Sequence, residues 1–319
     1  MEQSIGSPMM WLGFVAFVLV MLALDLGVFH RRPHEVSMKE AGIWSAVWVG
    51  MAVLFGVGIH MLYGGGRSLE FATGYLIEKA LSVDNIFVFV IIFAAFAVPA
   101  AYQHRVLFWG ILGALVMRAI FIWLGAALLE RFHFVIYVFG GLLVVTGAKL
   151  FFAKSEAEQN PAEGWVFRTF QKLVPSTKDL RGSKFLVKEG GQWLATPLLA
   201  VLVLVEVTDV IFAVDSIPAI FAVTRDPFIV FTSNIFAILG LRSLYFLLAG
   251  IVHKFHYLKP ALAVILTFVG VKLCLTGIAP IPTAVSLAVI ASLVVGGVVL
   301  SLLRPRPATP LPVRIHLDG

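Results

Sequence analysis

Nine stretches of this chain, at about 9–29, 41–62, 70–97, 104–128, 132–152, 196–222, 228–250, 258–277 and 282–303, are long and apolar enough to cross a bilayer, which takes about 20 residues of helix. A backbone in hydrocarbon must satisfy its own polar groups, so serial spans of this kind fold as a bundle of helices. The 319 residues are 60% hydrophobic and 13% charged. A soluble domain carries about 25% charge, so this composition could not clothe a globule of the same size. The expectation is an all-α, polytopic membrane bundle of about nine transmembrane helices, and the bilayer is its first partner. The single cysteine, Cys274, excludes a disulfide scaffold or a thiolate metal cluster and is expected to be a packing residue. Only Glu2 is charged ahead of the first span and no basic segment precedes it, so that span is expected to be retained rather than cleaved as a secretion signal.

Lysine and arginine set the orientation. With the N-terminus outside, the cytoplasmic segments hold sixteen of these bases and the outer segments three, Arg67, Arg131 and Arg225. The net charge of +6 therefore reads as a topology signal, and no nucleic acid partner is expected. The C-terminus is placed in the cytoplasm. Five bases lie within spans: Lys79, Arg118, Lys149, Arg242 and Lys272. Lys149 and Lys272 sit near span ends and are expected to snorkel. The connection at 153–195 sets Trp165, Phe167, Phe170, Leu173 and Val174 among Arg168, Lys172 and Lys178. That pattern fits an amphipathic helix on the inner leaflet or a solvated linker. The proline-rich tail after Arg304 reads as disordered.

A repeat runs through the spans. Ser82-Val83-Asp84-Asn85 resembles Ala213-Val214-Asp215-Ser216 at an offset of 131, and Leu115-Val116-Met117-Arg118 resembles Leu239-Gly240-Leu241-Arg242 at 124. Gly147-Ala148-Lys149-Leu150 resembles Gly270-Val271-Lys272-Leu273 at 123. Glu78 precedes Asp84 by six residues, as Asp209 precedes Asp215. Matches in constant order indicate a duplication. Each copy has three spans, an odd number, so the second enters the membrane upside down. Inverted repeats of this kind build many secondary transporters, with the substrate near the midplane. The expected divisions are N-terminal peripheral helices over 1–69, a first repeat over 70–152, the basic connection over 153–195, an inverted second repeat over 196–277, and a last helix with the tail over 278–319.

Charges in hydrocarbon cost roughly 2.5–3.5 kcal/mol each on insertion scales. Yet span three carries Glu78 and Asp84, and span six carries Glu206, Asp209 and Asp215, against the central bases Lys79, Arg118 and Arg242. This surplus of acid calls for protons or a cation. Asp84-Asn85 and Asp215-Ser216 offer carboxylate, amide and hydroxyl oxygens, while all eight histidines fall outside the two acidic segments. Such oxygen donors suit magnesium, calcium or manganese, not zinc or copper. A six-residue helical step rises about 9 Å and turns about 240°, so Glu78 and Asp84 cannot grip one ion on a straight helix, nor can Asp209 and Asp215. The expected site is a central Asp84–Asp215 pair with Glu78 and Asp209 as flanking ligands or proton carriers. Glu206 either pairs with Arg242 or reaches the ion. Pro218 frees the carbonyl of Val214, as a sixth ligand or an ordinary kink. Asn234 and Ser233 read as helix–helix glue, and Asp25 as an interfacial residue.

The run Leu76-Ile77-Glu78-Lys79-Ala80-Leu81-Ser82-Val83-Asp84-Asn85-Ile86-Phe87-Val88 and the run from Glu206 to Phe221 resemble the TerC family, more closely its Alx branch of bacterial inner-membrane proteins. The resemblance extends from the first span to the ninth. It implies manganese export, with alkaline-pH induction in some members and a link to tellurite resistance. It also implies Glu78, Asp84, Asn85, Asp209, Asp215 and Ser216 as the metal-handling positions. The leading expectation is thus a non-enzymatic secondary transporter exporting a divalent cation, manganese before calcium or magnesium, by alternating access and in exchange for protons. No phosphate-binding loop is present for ATP hydrolysis. Two other readings stay open. One is a membrane partner in metal or tellurite stress that delivers metal or anchors a cytoplasmic complex through the basic connection. The other is an intramembrane aspartyl hydrolase, which would lack the Gly-x-Gly-Asp motif associated with such enzymes.

Overall fold

Leucine, valine, phenylalanine and alanine fill the spans, and proline and glycine mark their joints. Residues 4–24, 37–132, 134–152, 161, 164–249 and 257–304 are described in the computed structural model of the chain. The described helices are α1 (Pro8–Leu24), α2 (Met38–Tyr63), α3 (Gly65–Ala95), α4 (Ala100–Arg131), α5 (Val135–Phe152), the short α6 (Trp165–Leu173), α7 (Pro197–Phe221), α8 (Pro227–Leu239), α9 (Leu241–Leu248), α10 (Leu258–Cys274) and α11 (Thr283–Leu303). Proline opens α1, α7 and α8, where its missing N–H is harmless. Gly64, at φ +86°, turns the chain sharply from α2 into α3. Asp226 caps α8 by accepting from the Phe228 N–H at 2.9 Å.

The molecule is a helical membrane bundle. Each of the nine expected spans contains a helix, with α8 and α9 sharing one span across a break at Gly240. Six are long and apolar enough to cross a membrane: α2, α4, α5, α7, α8 with α9, and α11. The helix α3, 31 residues long, falls short because it carries its charges within the apolar stretch. The helices α1 and α10 fall short at 17 residues each. Asp25, part of the connection and the tail lie outside the described residues.

The connection contains the amphipathic helix expected around Trp165–Leu173 and adds a ribbon that was not expected. It forms α6 and a two-stranded antiparallel ribbon, β1 (Leu186–Glu189) with β2 (Gln192–Ala195), and folds back onto the end of the bundle. Phe167 packs against Phe96 with ring centroids 4.9 Å apart, and Arg105 bonds Ser183 at 3.1 Å. The signal for the ribbon was Gly190-Gly191, which takes the two positive φ angles of a tight hairpin.

Contacts at the loop level sort the helix ends onto two faces. Ser4 and Ile5 donate to Asp226, each at 2.7 Å, and Thr224 donates to Glu70 at 2.7 Å. The N-terminus, the start of α3 and the α7–α8 turn thus share one face. The α3–α4 turn and α6 share the other. This is the alternation that successive crossings require.

The repeat shows itself in the seam between α5 and α10. A Cβ added at Gly147 would lie 2.7 Å from the Ala263 carbonyl oxygen and 2.8 Å from the Thr267 nitrogen. One added at Gly270 would lie 2.7 Å from the Gly140 carbonyl oxygen and 2.8 Å from the Val144 nitrogen. Shifting by 123 carries Gly147 to Gly270, Gly140 to Ala263 and Val144 to Thr267, so each contact is the image of the other. Reciprocity of this kind is the signature of a two-fold relation. At Gly270 the obstructing atoms are backbone and cannot step aside. Gly270→Ala is expected to destabilise the bundle by about 1–3 kcal/mol through overpacking, measured as a lower Tm in detergent. Gly141→Ala, which meets open space, should leave Tm nearly unchanged.

Candidate cation site in the membrane core

Two sets of polar residues occupy the bundle interior, and α7 contributes to both. The first surrounds Arg118 of α4, 1% exposed. Its Nη1 donates to Glu78 Oε1 of α3, and its Nη2 lies 3.3 Å from Asp209 Oδ1 of α7. Arg118 also donates to Ser216 Oγ at 3.1 Å and to Asn234 Oδ1 of α8 at 3.2 Å. Asn234 returns the bond, its Nδ2 donating to Glu78 Oε2 at 3.1 Å. Asp209 and Ser216, seven residues apart, fall within about 20° of one helical face, which is why one guanidinium reaches both. Arg118 meets four side chains and Glu78 two, while Arg118 reaches Asp209 through two nitrogens, the kind of pairing a buried charge needs.

The second set lines a cavity of about 230 Å³ that includes Asp84 and Asn85 of α3, Thr146 and Lys149 of α5, and Asp215 of α7. Thr146 donates to Asp215 Oδ1 at 3.0 Å. Lys149 stands three residues before the end of α5, and Leu262, also lining the cavity, four residues after the start of α10. The cavity therefore lies toward the face that carries α6. Asp84 and Asp215 share it, while Glu78 and Asp209 turn away to Arg118. The six-residue step separates the members of each pair, as helix geometry requires.

Several expectations change. Ser216 belongs with Arg118 and not with its neighbour Asp215. Asn234, read as glue, is a member of the ion cluster. Its signal was an amide in the middle of a span. Lys149 is exposed near the end of α5, as a snorkelling lysine would be, and also lines the cavity with Asp84 and Asp215. Lys79, expected to balance the acids, donates to the Ala237 carbonyl at 3.2 Å beside the α8–α9 break. A Cβ at Gly240 would lie 2.8 Å from its Nζ. Arg242, on α9, is buried. Glu206 packs its carboxylate on Gly113 of α4, in an apolar groove of about 720 Å³ capped by Trp165. Nine residues from Asp215, it faces the opposite side of α7. Val214 lies outside the cavity lining with its side chain exposed; Pro218 stays within α7 without ending it. Ser233 backs onto Gly74, and Cys274 packs in the α5–α10 seam, where a Cβ at Gly140 would lie 2.6 Å from its Sγ. Among the described residues, no group of three or more His, Cys, Asp or Glu side chains is placed to hold a metal ion.

The family pattern described as "Integral membrane protein TerC family" matches residues 63–308. This chain belongs to the TerC family. The matched stretch contains both acidic helices, the Arg118 cluster and the cavity. An "Uncharacterized membrane protein STKORF319" of Myxococcus xanthus is 58% identical over 96% of this chain and 95% of its own length. The "Putative membrane-bound redox modulator Alx" of Escherichia coli K12 is 47% identical over 92% of this chain and 94% of its own. An "Uncharacterized membrane protein" of Rickettsia felis is 43% identical over 93% and 98%. No solved structure matches the chain. The protein is thus an integral multi-pass membrane protein with bacterial relatives.

Removing one partner of a buried ion cluster leaves an uncompensated charge, at about 3–5 kcal/mol. Arg118→Gln in this TerC protein is expected to lower stability by that amount, measured by thermal unfolding in detergent. Adding Glu78→Gln and Asp209→Asn should recover most of the loss, because the orphaned carboxylates are then neutral.

Proposed function

We propose that this protein is a secondary transporter, without enzymatic activity, that exports a divalent cation from the cytoplasm across the bacterial inner membrane. Manganese is the leading substrate, and the N-terminus faces outside. One observation carries the reading: Asp84 and Asp215, at corresponding positions of the two repeats, line one intramembrane cavity with Asn85 and Thr146. Carboxylate, amide and hydroxyl oxygens suit a hard cation. Two carboxylates are fewer than a dedicated all-protein cage provides. Ions of this class often keep several waters when bound through one or two carboxylates, and transported ions must leave as readily as they enter. The choice of manganese over calcium and magnesium rests on family resemblance, as does any link to tellurite or alkaline stress.

The name of the Escherichia coli relative speaks of redox modulation. An intramolecular dithiol couple needs two thiols, and this chain has Cys274 alone. The charged cavity therefore supports ion movement better than thiol chemistry.

Uptake of radioactive manganese into inverted membrane vesicles tests the proposal. Wild-type vesicles should accumulate the ion, and the double variant Asp84→Asn, Asp215→Asn should lose at least tenfold in initial rate. Equal uptake by the two would refute it.

A further inference from the structure

The cavity and the repeat relation together specify a second cavity. Offsets of 131 between α3 and α7 and of 123 between α5 and α10 carry Asp84 to Asp215, Asn85 to Ser216, Thr146 to Val269 and Lys149 to Lys272. In the reverse direction, Asp215 goes to Asp84 and Leu266 to Leu143. The aspartate pair maps onto itself. The lysine changes helix, and the surrounding residues move from the end of α5 and start of α10 to the end of α10 and start of α5. Those ends belong to the opposite face of the bundle. The image site is shut here: Leu143 and Val269 are 0% and 1% exposed within the main apolar core. Lys272 is buried within electrostatic reach of Glu70.

We infer that Lys149 and Lys272 are equivalent tethered cations, each serving the aspartate pair in one of two access states. The second state opens a cavity lined by Asp84, Asp215, Ser216, Lys272, Leu143 and Val269. This rests on the transporter reading above and extends it to a return step. Two carboxylates without their cargo are costly to carry through hydrocarbon. An ammonium group standing beside them offsets one charge while the cargo is away. An arriving dication repels it, so removing the lysine tightens cation binding from the face that the lysine serves.

The test measures manganese KM in inverted and right-side-out vesicles containing the full chain. Lys149→Gln should lower KM by about tenfold at the α6 face and leave the opposite face unchanged. Lys272→Gln should do the reverse, and Lys149→Arg should keep the wild-type value. Unchanged KM in both glutamine variants, or a shift at the same face in both, overturns the inference while transport by wild type stands. Absence of saturable uptake by wild type removes the transporter reading and this inference with it. Accessibility gives an independent measurement that needs no charge variant. In a Cys274→Ala background, Leu143→Cys and Val269→Cys should react with a membrane-impermeant thiol reagent applied at the face opposite α6. Complete protection of both overturns the second cavity.

Discussion

Arg118 brings a guanidinium into the middle of an apolar bundle, where its charge persists only if partners surround it. Glu78 of α3, Asp209 and Ser216 of α7 and Asn234 of α8 supply them. Because α3 and α4 belong to one repeat and α7 and α8 to the other, a single side chain ties the two copies together. The same bonds withdraw Glu78 and Asp209 from any other ligand. Asp84 and Asp215 line the cavity instead, and the candidate site follows from that division.

The helix α7 makes the division possible. Its turn of about 100° per residue aims Asp209 and Ser216 at Arg118, Asp215 at the cavity with Thr146, and Glu206 at the backbone of Gly113. Four polar side chains on one rod thus serve three surroundings without crowding. Glycines supply the room: Gly113 leaves space for a carboxylate, Gly240 for the Lys79 ammonium, and Gly140, Gly147 and Gly270 for direct backbone contact between α5 and α10.

The copies are alike where they pack and unlike where they hold charge. The α5–α10 seam repeats its contacts at equal distances, whereas α4 runs unbroken and its counterpart divides at Gly240 into α8 and α9. The break leaves the Ala237 carbonyl available to Lys79. Arg118 gathers acids of both repeats. A bundle built this way has two related but unequal arrangements, a property that alternating access uses.

The sequence alone determined the membrane class, the positions of the spans and the inverted repeat, because apolar length and motif order are written locally along the chain. It also separated Glu78 from Asp84 and Asp209 from Asp215, since helical pitch fixes the angle between residues six apart. The ribbon at Gly190-Gly191 escaped it, being short and set among basic residues that read as linker. Only the tertiary structure decided which acid meets which base. Arg118, Arg242, Lys79 and Lys149 are interchangeable in a list of intramembrane charges. Their roles depend on helix rotation and on the side chains of other helices, which pairwise spacing along one chain does not encode. Asn234 entered the cluster and Lys149 the cavity for that reason.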